Sequence, residues 1–489
     1  MRHFLLLVVS LLIISCSHYD ESYSFQPYEA DQADPAVPGD RYNDITENPF
    51  VLTSEEATST FSIDADGGSY ANVRRFLEQD NQLPPKGAVR TEELINYFDL
   101  NYPQPTGEHP IALNGEVSGC PWAPDHRLVR IGIQGKDLPA GAAPTTNFVF
   151  LVDVSGSMSS RDKLGLLKTG MHRFVEEMGA NDRLSIVTYA GSTRVHLPST
   201  PGSEADAIRR SIDDLSAGGG TNGGDGILLA YEQAEAGFRA EGNNRILIGT
   251  DGDFNVGLTG YDELLELIEQ KRETGIFLTV LGLGRGNYNE ALLEQLANHG
   301  NGTYEYLDKV EQLEKVFLHE RGKFFTIAKD VKVQVTFEPQ LVSAYRLIGY
   351  ENRVLNNEDF EDDTEDAGEI GAGQNVTALY EIIPAAEPAP AGRSLPSFNI
   401  DFRYKQPTAT TSVPLGLDVV DEGNTFGQSS DYMRFTAATA GFGLLLLDSE
   451  YKGSTTYAEV RRWLSTVELA DEFGYRGELT RLVDLASEL

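Results

Sequence analysis

Between residues 146 and 325, apolar runs alternate with amphipathic stretches, and few folds accept that rhythm. Phe148–Val152, Leu184–Tyr189, Arg245–Thr250, Ile276–Leu283 and Gly302–Tyr306 are candidate strands. Between them, Leu164, Leu167, Met171, Phe174 and Met178 fall on one helical face, and Tyr261, Leu264, Leu265 and Ile268 recur at i, i+3, i+4 and i+7. Apolar strands alternating with such helices predict an α/β domain, a doubly wound, mostly parallel sheet with helices on both faces. Ligands of open sheets of this kind meet the carboxyl ends of the strands. Asp153 and Asp251 both follow apolar strands at that end, so their loops can meet in space.

The first of these loops, Asp153-Val-Ser155-Gly-Ser157, carries three short oxygen-bearing side chains at alternate positions. A small hard cation wants such ligands, and Mg²⁺ in particular accepts octahedral geometry and keeps waters, with Ca²⁺ or Mn²⁺ as alternatives. A second loop, Gly218-Gly-Gly-Thr221-Asn-Gly-Gly-Asp225, has glycines that let it fold tightly and aim Thr221 at the ion. Asp251 comes from a third loop, Thr250-Asp251-Gly-Asp253. Asp225 and Asp253 are either outer partners of the ligands or ordinary capping and loop carboxylates.

The flanks read differently. Residues 49–145 form an N-terminal module, with a helix carrying Tyr70, Val73, Phe76 and Leu77, a second starting at Thr91 with acids in its first turn, and strands at Ile111–Val117 and Leu128–Ile133. Residues 326–489 are first β-rich, from the clean alternation of Val331–Phe337 through Ala378–Ile383, Ser397–Tyr404 and Ser412–Leu417, then helical after Asp431. Both flanks are α+β or β-rich and are expected to pack together around or beside the central domain. Tyr70-Ala-Asn-Val-Arg-Arg-Phe-Leu77 and Tyr457-Ala-Glu-Val-Arg-Arg-Trp-Leu464 resemble each other, as two converged amphipathic helices would, with an internal duplication as the alternative. The acidic run Glu358–Glu369 reads as a solvated loop, with a calcium site as the alternative. Asp64-Ala-Asp66-Gly-Gly invites calcium but lacks the remaining acids of an EF-hand.

At the start of the chain, Arg2 and His3 precede the apolar run Phe4–Ile14, too short for a bilayer span of about 20 residues and suited to a signal peptide over residues 1–15. Ile13-Ile14-Ser15-Cys16 resembles a bacterial lipobox, which makes Cys16 the lipidated residue and residues 16–48 a polar, flexible tether reaching on the order of 100 Å. The expected location is the cell envelope, outside the cytoplasm, with the outer membrane favoured over the inner because Ser17 rather than aspartate follows Cys16. The one other cysteine, Cys120, is then left to the core, without a disulfide.

A formal net charge of −36 argues against nucleic acid as a partner, since phosphates need basic patches. Enzymatic readings lack their parts. Ser155 stands where a haloacid-dehalogenase phosphatase needs a second aspartate as general acid. No Gly-Lys-Ser/Thr phosphate loop, Gly-x-Ser-x-Gly elbow or His-Glu-x-x-His pair is present. His172, His299 and His319 are most simply surface or core residues. No catalytic residue is assigned, and the chain is expected not to be an enzyme.

Asp-x-Ser-x-Ser after an apolar strand, followed in order by Thr221 and Asp251, resembles the metal-ion-dependent adhesion site of a von Willebrand factor type A domain. Phe61-Ser-Ile-Asp-Ala-Asp66, Glu92–Phe98, Cys120-Pro-Trp122, Thr250–Val256 and Tyr345–Asn352 extend the resemblance to the bacterial YfbK-like family of envelope proteins carrying that domain, from about Pro49 to Leu489. The resemblance implies a metal site of Asp153, Ser155, Ser157, Thr221 and Asp251. In it hydroxyls bind the ion directly, at least one aspartate acts through water, and one position stays open for a partner's carboxylate. The implied function is a lipid-anchored binding or adhesion protein for a protein ligand or another carboxylate-bearing ligand. The alternative is a structural scaffold of the envelope that needs no metal.

Overall fold

Thr146–Asp153 and Asn243–Thr250 are buried along their whole lengths, as unbroken apolar strands at the centre of a covered sheet must be. The computed structural model describes residues 39–489, apart from residues 65, 140, 142, 221–222, 253–260, 287 and 387–396. The signal segment, Cys16 and most of the tether lie outside the described residues, as do Thr221 and Asp253.

The central sheet runs in the order Tyr304–Leu307, Ile276–Leu283, Asn243–Thr250, Thr146–Asp153, Arg183–Tyr189, Arg194–Pro201. All neighbours are parallel except the last pair. Successive side chains of Thr146–Asp153 serve opposite faces, as strand geometry dictates. Phe148, Phe150 and Val152 pack with Leu167, Met171 and Phe174 of the helix Leu166–Glu176. Val149 and Leu151 pack with Ile227, Ala230 and Tyr231 of the helix Gly224–Ala236. Leu264 and Ile268 of the helix Tyr261–Glu273 close the same face. The expected doubly wound α/β arrangement is the one observed, with Arg194–Pro201 as an additional antiparallel edge.

The flanks share their sheets. One sheet orders Val51–Leu52, Val342–Ile348, Asn375–Pro384, Arg127–Gly135 and Ile111–Gly119; the other orders Val354–Leu355, Thr58–Ser62, Thr326–Phe337, Phe398–Lys405 and Ser412–Val419. Each mixes strands from residues 49–145 with strands from residues 326–489, so neither flank completes a sheet without the other. Phe61, Ile131, Val333, Tyr345, Tyr380 and Ile400 are among the side chains in the core of this pair of sheets. The chain leaves after Arg127–Gly135, forms the central domain and returns at Thr326–Phe337. A third layer packs the helices Gly68–Glu78 and Thr91–Asn96 against the C-terminal helices Asp431–Leu446, Tyr457–Leu464 and Tyr475–Glu488, with Trp122, Trp463 and Cys120 buried among them.

Buried Arg74 joins these parts. Its guanidinium donates to Asp308 Oδ2 at 2.8 Å beyond the central sheet, to Tyr97 Oη at 2.8 Å and to Glu478 Oε1 at 2.7 Å on the last helix. No helix among the described residues is long and apolar enough to cross a membrane.

Candidate metal centre

After Thr146–Asp153 the chain winds outward through Arg183–Tyr189, then returns to the other side of the first strand at Asn243–Thr250. The strand order therefore reverses between Thr146–Asp153 and Asn243–Thr250, and open sheets hold their ligands at such a switch point. Asp153 ends one of these strands and Asp251 directly follows the other. Both side chains are fully buried.

Local hydrogen bonds shape the first loop. Ser155 N–H donates to Asp153 Oδ1 at 2.8 Å, and the hydroxyls of Ser155 and Ser157 form a pair at 2.9 Å. The Thr250 hydroxyl donates to Asp153 Oδ2 at 3.3 Å. The glycine loop is tied on by its backbone, with Gly218 N–H donating to Val154 O at 2.7 Å and Gly156 N–H donating to Gly219 O at 3.1 Å. Gly219 has φ +94°, a conformation that a side chain would strain, and it lies against the backbone of Gly191. These contacts bring the chain to within two residues of Thr221 at the site. Ser155 is buried beneath Ser157, which is exposed, so the cluster meets solvent through Ser157. Asp225 is exposed in the first turn of Gly224–Ala236.

Lys163 is the group that sequence reasoning missed. Its ammonium donates to Asp251 Oδ2 at 2.9 Å, and its side chain is only 9% exposed. The short helical segment Arg161–Gly165 is broken at Lys163 itself (φ −118°, ψ −106°). Gly284, at φ +71°, makes room for it, since a Cβ there would come within 2.2 Å of Lys163 Cε. A signal existed: Lys163 is in phase with Leu167, Met171 and Phe174, at i+4, i+8 and i+11, on a helical face that is otherwise buried.

Burial pushes the Asp153 carboxyl up to about 6. The Ser155 hydrogen bonds oppose that rise, the nearby Asp251 charge adds to it, and the Tyr189 phenol favours the charged form. The gathered donors, two carboxylates and two hydroxyls, are all oxygen and fit a hard divalent ion rather than a soft one. Asp153, Ser155 and Ser157 would hold it. Lys163 already occupies Oδ2 of Asp251, which suits Asp251 to meeting an ion through water. With Asp251 already paired to Lys163, a bound ion would keep much of its own charge for a further anionic ligand.

Two other carboxylate groups gather elsewhere among the described residues: Asp64, Glu93 and Glu294, and Asp330, Asp366 and Glu369. The second takes in part of the acidic run, and it is met by cations. Arg272 donates to Asp366 Oδ2 at 2.5 Å and Lys405 to Asp330 Oδ2 at 2.8 Å.

Residues 147–319 match the von Willebrand factor type A domain, residues 36–130 match a family described as von Willebrand factor, and residues 322–489 match "Uncharacterized protein YfbK, C-terminal". The chain is 40% identical over 468 residues to the "Uncharacterized protein YfbK" of Escherichia coli K12, covering 91% of this chain and 81% of that protein. Inter-alpha-trypsin inhibitor heavy chain H4 of Sus scrofa is 26% identical over 181 residues, 35% of this chain and 19% of its own length. A solved von Willebrand factor type A protein from Catenulispora acidiphila covers 78% of this chain and 98% of itself at 14% identity, with a TM-score of 0.43.

Proposed function

Because this chain belongs to the YfbK family and carries a von Willebrand factor type A domain, a domain that points to protein binding or adhesion, we propose that it is a lipid-anchored extracytoplasmic protein that captures a carboxylate-bearing ligand through a metal ion. The observation behind this reading is the meeting of Asp153, Ser155, Ser157 and Asp251 at the switch point, with the rim open at Ser157. Thr221 would add a further hydroxyl. Mg²⁺ is the leading ion, with Ca²⁺ or Mn²⁺ able to use the same oxygens. The ligand is a protein, or another molecule, that supplies an aspartate or glutamate carboxylate to the open position. At a net charge of −36 the surface repels acidic partners at long range, so the ion must dominate at contact. We read the protein as a binder, not an enzyme, anchored in the cell envelope through Cys16, with the outer membrane favoured.

Titration calorimetry of Mg²⁺ and Ca²⁺ into the purified wild type, beside an Asp153→Ala/Ser155→Ala variant, tests the reading. One saturable event lost in the variant supports it; no binding by folded wild type refutes it. Labelling of cells with radioactive palmitate, absent in Cys16→Ala, tests the anchor.

One observation favours a second reading. Lys163 supplies Asp251 with a cation of the protein's own, so the loop can stand without an ion. The protein would then be an envelope scaffold, and its associations would survive EDTA and Asp153→Ala alike.

A further inference from the structure

The acids in the first turn of Thr91–Asn96 suggest a solvated helix start, yet Glu92 and Glu93 are buried. Glu93 Oε2 accepts from Ser69 N–H at 2.7 Å. Asp64 and Asp66, in the loop between Thr58–Ser62 and Gly68–Glu78, are buried beside it, and from the central domain the helix Glu290–His299 contributes Glu290 and Glu294. One carboxylate oxygen from each of Asp64, Glu93 and Glu294 lies within 4.8 Å of the others. That spread matches the width of a calcium shell, about 4.6–5.2 Å across for oxygens at 2.3–2.6 Å.

The cations facing this group are two guanidiniums. Arg90 donates to Glu294 Oε2 at 2.7 Å and lies 3.4 Å from Glu93 Oε1; Arg353 donates to Asp64 Oδ2 at 2.9 Å and lies 3.9 Å from Asp66 Oδ2. Five buried carboxyls, of Asp64, Asp66, Glu93, Glu290 and Glu294, thus outnumber their counter-charges. An uncompensated buried charge is costly, so such a site takes up either protons or a cation.

Glu290 provides an independent sign. It is 1% exposed, and neither of its carboxylate oxygens has a hydrogen-bond partner. It stands one helical turn before Glu294 on the same face, and the charges acting on it are those of Arg90 and Glu294. Its own charge acts on Glu93 and Arg90, so this unpartnered carboxylate borders the cluster. Asn352, from the C-terminal flank, donates to Glu294 Oε1 at 2.6 Å, so all three parts of the chain contribute.

We propose that Asp64, Glu93 and Glu294, with the unpartnered carboxylate of Glu290, form a second cation site of the calcium class that fastens the central domain to the shared sheets. Six to eight oxygen ligands at flexible angles suit Ca²⁺ here better than Mg²⁺. The burial of the group makes the ion structural, held by the protein's own oxygens.

The Asp153→Ala/Ser155→Ala variant, full length and stripped with EGTA, isolates this site from the switch-point loop. Titrated with Ca²⁺ alone, it is expected to bind one equivalent and to melt at a higher temperature when loaded. Adding Glu294→Gln weakens that binding roughly tenfold or more, and so does Glu290→Gln, which removes charge without breaking a hydrogen bond and serves if the first variant does not fold. No uptake of Ca²⁺ up to about 1 mM overturns the proposal, as does uptake that both glutamine variants leave unchanged. An Asp153→Ala/Ser155→Ala protein whose melting temperature does not respond to Ca²⁺ overturns it too, because the cluster would then be kept neutral by protons.

Discussion

At the carboxyl end of the central sheet, two buried aspartates meet two hydroxyls and one lysine, the lysine held by Asp251, and the outermost hydroxyl reaches solvent. At the junction of the central domain with the flanks, five buried carboxyls share two guanidiniums, and none is exposed. The first arrangement keeps a way out to solvent through Ser157, which is what a site for an external ligand needs. The second is enclosed, so whatever neutralises its acids becomes part of the fold. The same residue types therefore serve recruitment in one place and cohesion in the other, according to the access of water.

The largest effect is expected at the junction. Arg90→Met strips Glu93 and Glu294 of a shared cation and leaves buried acids with less compensation, at a cost of about 3–5 kcal/mol. Urea unfolding in EGTA measures it; a loss under 1 kcal/mol would mean that the cluster is already neutral. Lys163→Met should come next, on the order of 3 kcal/mol in EDTA, because Asp251 loses its ammonium. Mg²⁺ should restore much of that loss and bind more tightly than to wild type, since a competing positive charge has gone. A loss that Mg²⁺ does not touch would separate Lys163 from the metal chemistry.

pH distinguishes the two regions by window. Burial raises the Asp153 carboxyl from the usual carboxylate range to about 6 and the Glu290 carboxyl to about 8. An acid whose value is raised on folding binds its proton better in the folded state, so stability is greatest below the unfolded value and falls as pH rises to the folded one. In chelator, Asp153 contributes a decline between about pH 4 and 6 that approaches 3 kcal/mol. Glu290 and the buried Glu92, raised alike to about 8, extend the decline towards pH 8, and Glu290→Gln should remove its own share of that upper part. Thermal melts across pH 4–8 check both. Mg²⁺ affinity should drop about tenfold per unit below pH 6, where the ion competes with the Asp153 proton.

What could be read from the sequence follows from range. The central strands declare themselves because unbroken apolar runs have one use in a covered sheet, whereas Arg194–Pro201 hides because it carries two prolines and lies partly exposed at an edge. Asp153, Ser155 and Ser157 are legible because their geometry is local. Lys163 shows only as a charge in phase with the buried face of Leu167, Met171 and Phe174, and its partner Asp251 lies 88 residues away. The junction is less legible still: Glu93 finds Ser69, and Glu294 finds Arg90 and Asn352, across long stretches of chain. The two similar helices make the point directly. Arg74 and Arg75 are buried in ion pairs, while Arg461 and Arg462, in the same local string, are 56% and 62% exposed in their side chains.

The smallest expected effect gives the sharpest separation of the two sites. Ser157 is the exposed member of the hydroxyl pair, so its oxygen contributes little to the metal-free fold; Ser157→Ala should change stability in EDTA by less than about 0.5 kcal/mol. If the switch-point loop holds an ion for recruitment, the same substitution should still weaken Mg²⁺ binding by roughly tenfold, because a direct oxygen ligand is gone and water replaces it without the loop's preorganisation. Calcium uptake at the junction, which does not use this hydroxyl, should not change. Calorimetry with each ion on one variant therefore asks a single question of both regions. Weakened Mg²⁺ with unchanged Ca²⁺ separates an open site from a closed one. Equal weakening of both would mean that one ion serves one site, and the contrast between recruitment and cohesion would fail.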